Sequence, residues 1–503
     1  RIDHKTSDKN YFFARVGLTI HHPGYHPGPL LPGYGGTGDN DPGRSVVLSD
    51  THIITPSLVN EFKAGYSSTS FDVWGVNNVA NALAKIGLQG INNPSNDPAL
   101  SAMPDLEING ANGFQSTTST GYTSQTQNTY QVTDNLSWNH GRHNYKAGVD
   151  IRRYQVNDQN KPQNVTGSIS FDDQLSGFAY ANFLLGNPSD VSLAIARPNA
   201  YIRSTQQGYY VQDEFKMSPR LTLTYGIRYE YQSPWVEKFN RMTSFDLKSG
   251  SVVTAGSTLP TDLVPAVAAT VPIITASSAG LPTQSLMRTD NFNWSPRVGL
   301  AFRPFGNDST VFRMGYGLFT SMWLGQLGLN ATGGPWQSNQ SWYIVNNQPS
   351  ITFPNPFQST IQGFAGVQSV NAVDPNFPHE RTQQWNASIG RQLWKTGFDV
   401  AYIGTKAKNL PFYYNLNLLP PSTTPFDPAA LPYPLFSSVG YNQTGSSSIY
   451  HGLTVKADRR VGRGLTLNAN YTWAKALDEV GLNGYLNAPA HLGRGVPVVV
   501  QDA

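Results

Sequence analysis

There is no cysteine in this sequence of 503 residues. That excludes a disulfide scaffold and thiol chemistry, and says little about compartment. Charge is scarce: 13% of residues are Asp, Glu, Lys or Arg, about half the usual share. The formal net charge is +3. A balance so small over this length supplies no basic footprint for nucleic acid and no polybasic membrane patch. Long apolar runs are missing as well. The nearest approach to the ~18–20 residues of a membrane helix is LVPAVAATVPIIT at 263–275, which Pro265 and Pro272 interrupt. No membrane-spanning helix is therefore expected in the chain. A β-barrel is not excluded, because its strands never form long apolar runs. The opening RIDHKTSDKNYFFARVG carries no Met and no charged-then-apolar leader, so no signal peptide is expected in it.

What is abundant is aromatic and turn-forming residues: 25 Tyr, 24 Phe, 10 Trp, 47 Gly and 35 Pro. The stretch RLTLTYGIRYEYQSPW at 220–235 alternates without a slip. Leu221, Leu223, Tyr225, Ile227, Tyr229 and Tyr231 share one side; Thr222, Thr224, Gly226, Arg228, Glu230 and Gln232 share the other. Period two predicts a β-strand with two unlike faces. The same pattern returns in HNYKAGVDIRRY, VFRMGYGLFT, QQWNASIGRQLW and GLTLNANYTWA. Alternation alone leaves open whether the apolar face meets a core or lipid.

Connections discriminate better than strands. Short turns rich in Gly, Pro, Asn or Ser lie near 55–57 and at 139–143, 217–220, 304–309, 394–397 and 461–464. Between them come segments of about 60 residues from 67, about 50 from 154, 232 and 405, and about 60 from 321. In an up-and-down arrangement, alternating short and long connections put every turn at one end and every loop at the other. That asymmetry belongs to outer-membrane barrels, with short periplasmic turns and long extracellular loops. An 11-residue strand rises about 36 Å and, tilted by ~40°, spans roughly 27 Å of membrane. Aromatic residues near strand ends fit interfacial girdles. The expected fold is all-β: an antiparallel up-and-down transmembrane β-barrel, incomplete, with about 13 strands visible.

YQVTDNLSW (130–138) and YYVQDEFKM (209–217) share Tyr-x-Val-x-Asp-x-(Leu or Phe), each running into a short turn. By parity Asp134 and Asp213 fall on the apolar face. A lipid-facing carboxylate is costly at mid-membrane and costs roughly 0–1 kcal/mol near an interface, so both are expected at the periplasmic rim. Arg152, Arg228, Glu230 and Arg313 fall on the polar face and are expected to point into the lumen, as contacts for solute or plug or as cross-strand ion pairs in a hydrated wall.

Chemical motifs are weak. Gly33, Gly35 and Gly38 in GYGGTG have Gly-x-Gly-x-x-Gly spacing, but prolines on both sides forbid the strand and helix that a dinucleotide site needs. His21, His22 and His26 sit in a Pro/Gly-rich loop with no visible second layer of partners for a metal. Asp39 and Asp41 in GDNDPG lack the twelve-residue calcium pattern and read as a turn. No Gly-x-Ser-x-Gly elbow, nucleophilic Cys or His-Glu-x-x-His helix is present. The expectation is no enzyme, no cofactor and no metal.

The phrases GYYVQDEFKMSPRLTLTYGIRYEYQSPW, NYKAGVDIRRY, FAYANFLLGNPS, RTQQWNASIGRQLW and HGLTVKADRRVGRGLTLNANYTWAKALD together resemble the barrel region of TonB-dependent outer-membrane receptors. The likeness runs over nearly all of the chain and is nearest to the Oar-like branch, which carries a carboxypeptidase-regulatory-like domain. The resemblance implies a bacterial outer-membrane location, outer-membrane lipid as solvent, and a barrel of about 22 strands. It also implies a plug domain and TonB as partners in the full-length parent, and a bulky extracellular solute: siderophore, oligosaccharide or peptide. The sequence departs from that pattern in showing no plug or TonB box, fewer strands, and no terminal aromatic in GRGVPVVVQDA. Residues 1–503 are thus expected to be a partial receptor barrel, with plug and signal peptide absent. The alternatives are a plug-free porin or surface adhesin, and a soluble secreted carbohydrate-binding β-protein whose apolar faces pack sheet on sheet.

Overall fold

A computed structural model describes residues 1–20, 24–26, 37–75, 87–89, 104–109, 123–160, 163–195, 198–305, 309–344, 346–357, 368–420, 423, 427–462 and 464–479. Thirteen long strands are present among them. They are β1 (Asn10–Thr19), β2 (Gly43–Thr55), β3 (Leu58–Gly75), β4 (Thr123–His140), β5 (His143–Asn160) and β6 (Ala200–Ser218). They continue as β7 (Leu221–Gln232), β8 (Trp294–Phe302), β9 (Thr310–Ser321), β10 (Glu380–Leu393), β11 (Thr396–Asn415), β12 (Phe436–Val461) and β13 (Leu465–Asp478). Each pairs antiparallel with the next in chain order. The result is the expected up-and-down meander. Ile2–Lys5 folds back on β1 at one edge, and β13 forms the other. Among the described residues the two edges are not paired with each other, so the barrel is incomplete, as expected.

The register gives the two faces their composition. Across β5, β6, β7 and β8, the row Ala147–Val211–Ile227–Pro296 is apolar, and the neighbouring row Gly148–Tyr210–Arg228–Ser295 is mixed and polar. The apolar face is the more open one. Val211 is 53% exposed, and Tyr225, Ile227, Val298 and Met314 are also exposed. Arg228 and Glu230 opposite are half-buried. This inverts the distribution of a soluble sheet, and the sheet-on-sheet packing of the soluble alternative does not occur on this face.

The short turns near 55–57 and at 139–143 and 217–220 lie where their Gly, Pro, Asn and Ser clusters put them, and those at 304–309 and 461–464 fall partly outside the described residues. At the β10–β11 turn, Trp394 and Lys395 both adopt positive φ, 47° and 64°, as a primed two-residue hairpin requires. Trp394 is 84% exposed at the tip.

The long connections are less loop-like than their sequence predicts. Several strands overrun the apolar band: β11 has 20 residues and β12 has 26. The segment expected from 405 is therefore strand as far as Asn415. Alternation weakens there, as in YNQTG of β12, because neither face of the extension meets lipid, and period two then gives no apolar signal. The remaining segments fold on one another. A four-stranded sheet combines Ser338–Tyr343, Asp190–Ile195, Ser168–Phe171 and Asp105–Ile108, drawn from three different connections. A three-stranded sheet combines Thr243–Asp246, Ser251–Thr254 and Ile273–Thr275. The proline-broken stretch at 263–275 forms the helix Pro265–Thr270 and the last of those strands.

Three buried clusters hold this head together. One centres on Trp235, Met242, Trp323 and Phe377, a second on Phe245, Val267 and Phe436, a third on Ile108, Phe171 and Trp342. They are built from the long connections and the adjoining strand ends, while the membrane-length band keeps its apolar side chains outside. The molecule therefore has a conventional core only at its long-loop end.

Candidate functional site

The polar face of β4 to β7 carries a belt of charged and amide side chains. Arg152 pairs with Asp150 on its own strand at 2.7 Å, and Gln131 on β4 donates to the same carboxylate at 2.9 Å. Arg228 pairs with Glu230, also on its own strand, at 3.0 Å. Asp150, Gly208 and Glu230 stand side by side on three strands. A Cβ at Gly208 would lie 2.2 Å from Arg228 Nη2, so the absent side chain is what lets the guanidinium lie across β6. Three of the four polar-face candidates are thus gathered. Arg313 shares the face but pairs with Ala301 and Ser388 on β8 and β10, apart from the belt and exposed. The ion pairs run along strands, not across them as expected: two polar positions i and i+2 on one strand are already neighbours on one face.

Asp134 and Asp213 lie on the apolar face, as parity required, and both are paired. Asn60 Nδ2 donates to Asp134 at 2.7 Å. Asp213 accepts from Tyr225 Oη at 2.7 Å and lies 2.7 Å from His143 Nδ1. The two arrangements repeat one geometry. Asp134 registers with Phe62 and Asp213 with Tyr145, and in each case the partner stands two residues earlier on that strand. His143 also stacks on Phe215, centroids 4.3 Å apart. The repeated sequence phrase therefore encodes a diagonal polar clasp near the hairpin end.

Above the charged belt, the register row Gln131–Arg152–Gln206–Gln232 leads into a cavity of about 390 Å³. Its wall includes Gln125, Gln127, Tyr154, Gln206 and Gln232; its roof is the segment Met322–Leu329, with Trp235 at the side. Tyr154 Oη donates to Gln206 Oε1 at 2.9 Å. The roof contains the short helix Gly325–Asn330. A Cβ at Gly328 would stand 2.8 Å from Trp235 Cβ and 2.9 Å from Ile202 Cδ1, so glycine permits the close approach of roof to wall. Gln232 fastens it. Gln232 Nε2 donates to the Trp323 carbonyl at 3.0 Å, and the Trp323 N–H donates to Gln232 Oε1 at 2.7 Å.

A second cavity, about 520 Å³, opens on the far side of the same roof and is lined by Phe377, Pro411, Phe412 and Tyr413. Trp323 and Gln326 border both. The indole N–H groups of Trp235 and Trp323 are buried and have no hydrogen-bond partner among the described residues. Such groups are costly to leave unpaired. The site offers amide donors and acceptors and aromatic surface. It holds no arrangement of nucleophile, base and oxyanion donors.

His379, fully buried, stacks against Trp323 with ring centroids 4.0 Å apart. Burial pushes its pKa down to about 4, against the opposing pull of Asp290 and with help from Arg381. The unfolded chain therefore binds a proton between pH 6.5 and about 4 that the folded head refuses. Stability is complete above pH 6.5 and falls as pH drops towards 4. At pH 5 the expected loss is about 2 kcal/mol. A pH titration of tryptophan fluorescence during urea unfolding checks it: His379→Gln removes this pH dependence if the histidine carries it.

The polar residues of the cavity were not singled out from sequence, although the signal was present. Tyr154 is Arg152 plus two, and Gln232 is Arg228 plus four, so both continue the polar parity. Trp323 carries no such mark. Of the rejected motifs, Gly38 lies in the short strand Thr37–Asn40 beside Trp74, and His26 in Gly24–His26; Gly33, Gly35, His21 and His22 lie outside the described residues. Among the described residues no group of three or more His, Cys, Asp or Glu is placed to hold a metal ion.

Comparison with known proteins agrees with this architecture. A family model described as an outer membrane beta barrel domain matches residues 1–496. No curated protein sequence matches the chain. Among solved structures, the outer membrane transporter YddB from Escherichia coli is similar with a TM-score of 0.56 at 9% identity, over 96% of this chain and 48% of that one. The alcaligin outer membrane receptor FauA from Bordetella pertussis gives 0.45 at 10% identity, over 97% and 54%. The ferric yersiniabactin uptake receptor FyuA from Yersinia pestis gives 0.44 at 8% identity, over 94% and 50%. The chain spans about half the length of these structures.

Proposed function

Because the chain belongs to the outer-membrane β-barrel domain family, and so lies in the bacterial outer membrane, we propose that it forms barrel wall and extracellular head of a TonB-dependent receptor. The receptor binds a bulky extracellular solute in its head and admits it with energy passed on by TonB. Within this class the quoted phrases favour the Oar-like branch, and residues 1–503 are part of its barrel domain. The plug domain and TonB are its partners in the full-length parent. One observation carries the reading: the apolar face lies open across β5 to β9 while a folded head at one end roofs a polar cavity.

In this orientation Arg152, Arg228, Glu230 and Arg313 face the lumen. Asp134 and Asp213 stand at the periplasmic rim, where their clasps hide each carboxylate from lipid. Passage is gated binding, with no bond made or broken. Deleting the gene is expected to reproduce a subset of the growth defects of a strain lacking TonB, scored over a panel of nutrient sources. Uptake through the intact gene that persists when TonB is removed would instead assign the chain to the plug-free porin class.

A further inference from the structure

We infer that the two cavities on either side of the Met322–Leu329 roof form one binding site for an uncharged oligosaccharide; this rests on the receptor reading above. The lining chemistry selects the class. In the first cavity the polar side chains are amides, a phenol and the Thr129 hydroxyl, with Gln125, Gln127, Gln206 and Gln232 prominent, beside two indole rings and aliphatic side chains. An amide both donates and accepts, which suits hydroxyl groups that do the same. An anion only accepts, and a site for one needs cations. None of the first cavity's lining residues is charged, and Glu380 is the one charged residue lining the second. Arg152, in the row beneath, is already held by Asp150 at 2.7 Å. Beyond the lining, charges of both signs are already engaged: Asp158 accepts from Gln125 at 3.0 Å, and Arg203 donates to the Val156 carbonyl at 3.2 Å and to Asn157 Oδ1 at 2.8 Å.

Two further observations fit. Trp235 and Trp323 line the first cavity and give it apolar ring surface beside the amides. Phe377, Phe412 and Tyr413 in the second cavity give apolar ring surface, as the C–H faces of a pyranose require. Since Trp323 borders both spaces, a chain of sugars crossing beneath it would meet amides first and aromatic rings next. An anionic iron chelate, a phosphate or a charged peptide end would find no counter-charge in either lining.

The test uses outer-membrane vesicles carrying the full-length protein, probed with an array of neutral glycans, acidic glycans, peptides and ferric siderophores. Folding of each variant is checked by heat-modifiable gel mobility. Neutral glycans are expected to bind. Gln127→Ala, at an exposed position, and Phe412→Ala, which removes ring surface from the second cavity, should each weaken that binding about five- to tenfold. Neutral-glycan binding untouched by both substitutions would overturn the site. Selective binding of acidic glycans, peptides or siderophores would overturn the solute class and leave the receptor reading standing. A folded protein that binds none of the four would overturn both.

Discussion

Val211→Arg is expected to destabilise the protein in a bilayer by about 1–3 kcal/mol, between the cost of an arginine at the midplane and that at an interface, because it stands on the lipid face two residues from Asp213 at the rim. Val211 registers with Ile227 and Ala147 on the open apolar face, and its side chain is 53% exposed there. In lipid that exposure is a favourable contact; a guanidinium in the same place would have to snorkel along a rigid strand to reach water. Thr224→Arg is the control. It stands one residue from Tyr225, on the opposite face, in register with Glu214. The same charge added there meets water and a carboxylate, and the expected change is within about 0.5 kcal/mol. Urea unfolding in phospholipid vesicles, followed by tryptophan fluorescence, measures both. Equal effects of the two substitutions would mean that the faces are assigned wrongly.

Gln232→Leu is the second large effect, and it is local. Gln232 is buried, and its side-chain amide satisfies both the N–H and the C=O of Trp323. Leucine satisfies neither, and each buried group left unpaired costs about 1–3 kcal/mol. The roof over the first cavity should therefore open far more often while the strand ladder stays intact. Hydrogen exchange reads this directly: amides of Met322–Leu329 lose protection and those of β4 to β7 keep theirs. Unchanged protection at Trp323 would show that the head's apolar packing, and not this amide clamp, holds the roof.

The meander was legible in the residues because its signal is local. The alternation of β7 from Leu221 to Gln232 follows from backbone geometry, in which successive side chains point to opposite faces. The turn at Gly141–Arg142 was likewise marked by its own composition; at Trp394–Lys395 neither turn residue is a turn former, and the nearby Gly397 lies in the following strand. Strands without an apolar face escaped notice: the extended start of β12 shows no clean period two. Register puts Arg152, Arg228, Glu230 and Arg313 on one face of the sheet and Asp134 and Asp213 on the other. Their bonding did not follow from parity, since the pairing of Asp213 with His143, 70 residues away, depends on register between strands.

The sequence by itself therefore determined the all-β class, the two-faced strands, the short turns and the exclusion of helical spans and thiol chemistry. Each of these needs only a few consecutive residues. Tertiary structure alone decided the folded head, its three cores and the roofed cavity. Gln232 and Trp323 are 91 positions apart, and no feature of either neighbourhood announces the other. A hydrogen bond from a side-chain amide to a distant backbone has no period and no motif. It exists because the strand ladder first places one end of β7 beside the connection that follows β9.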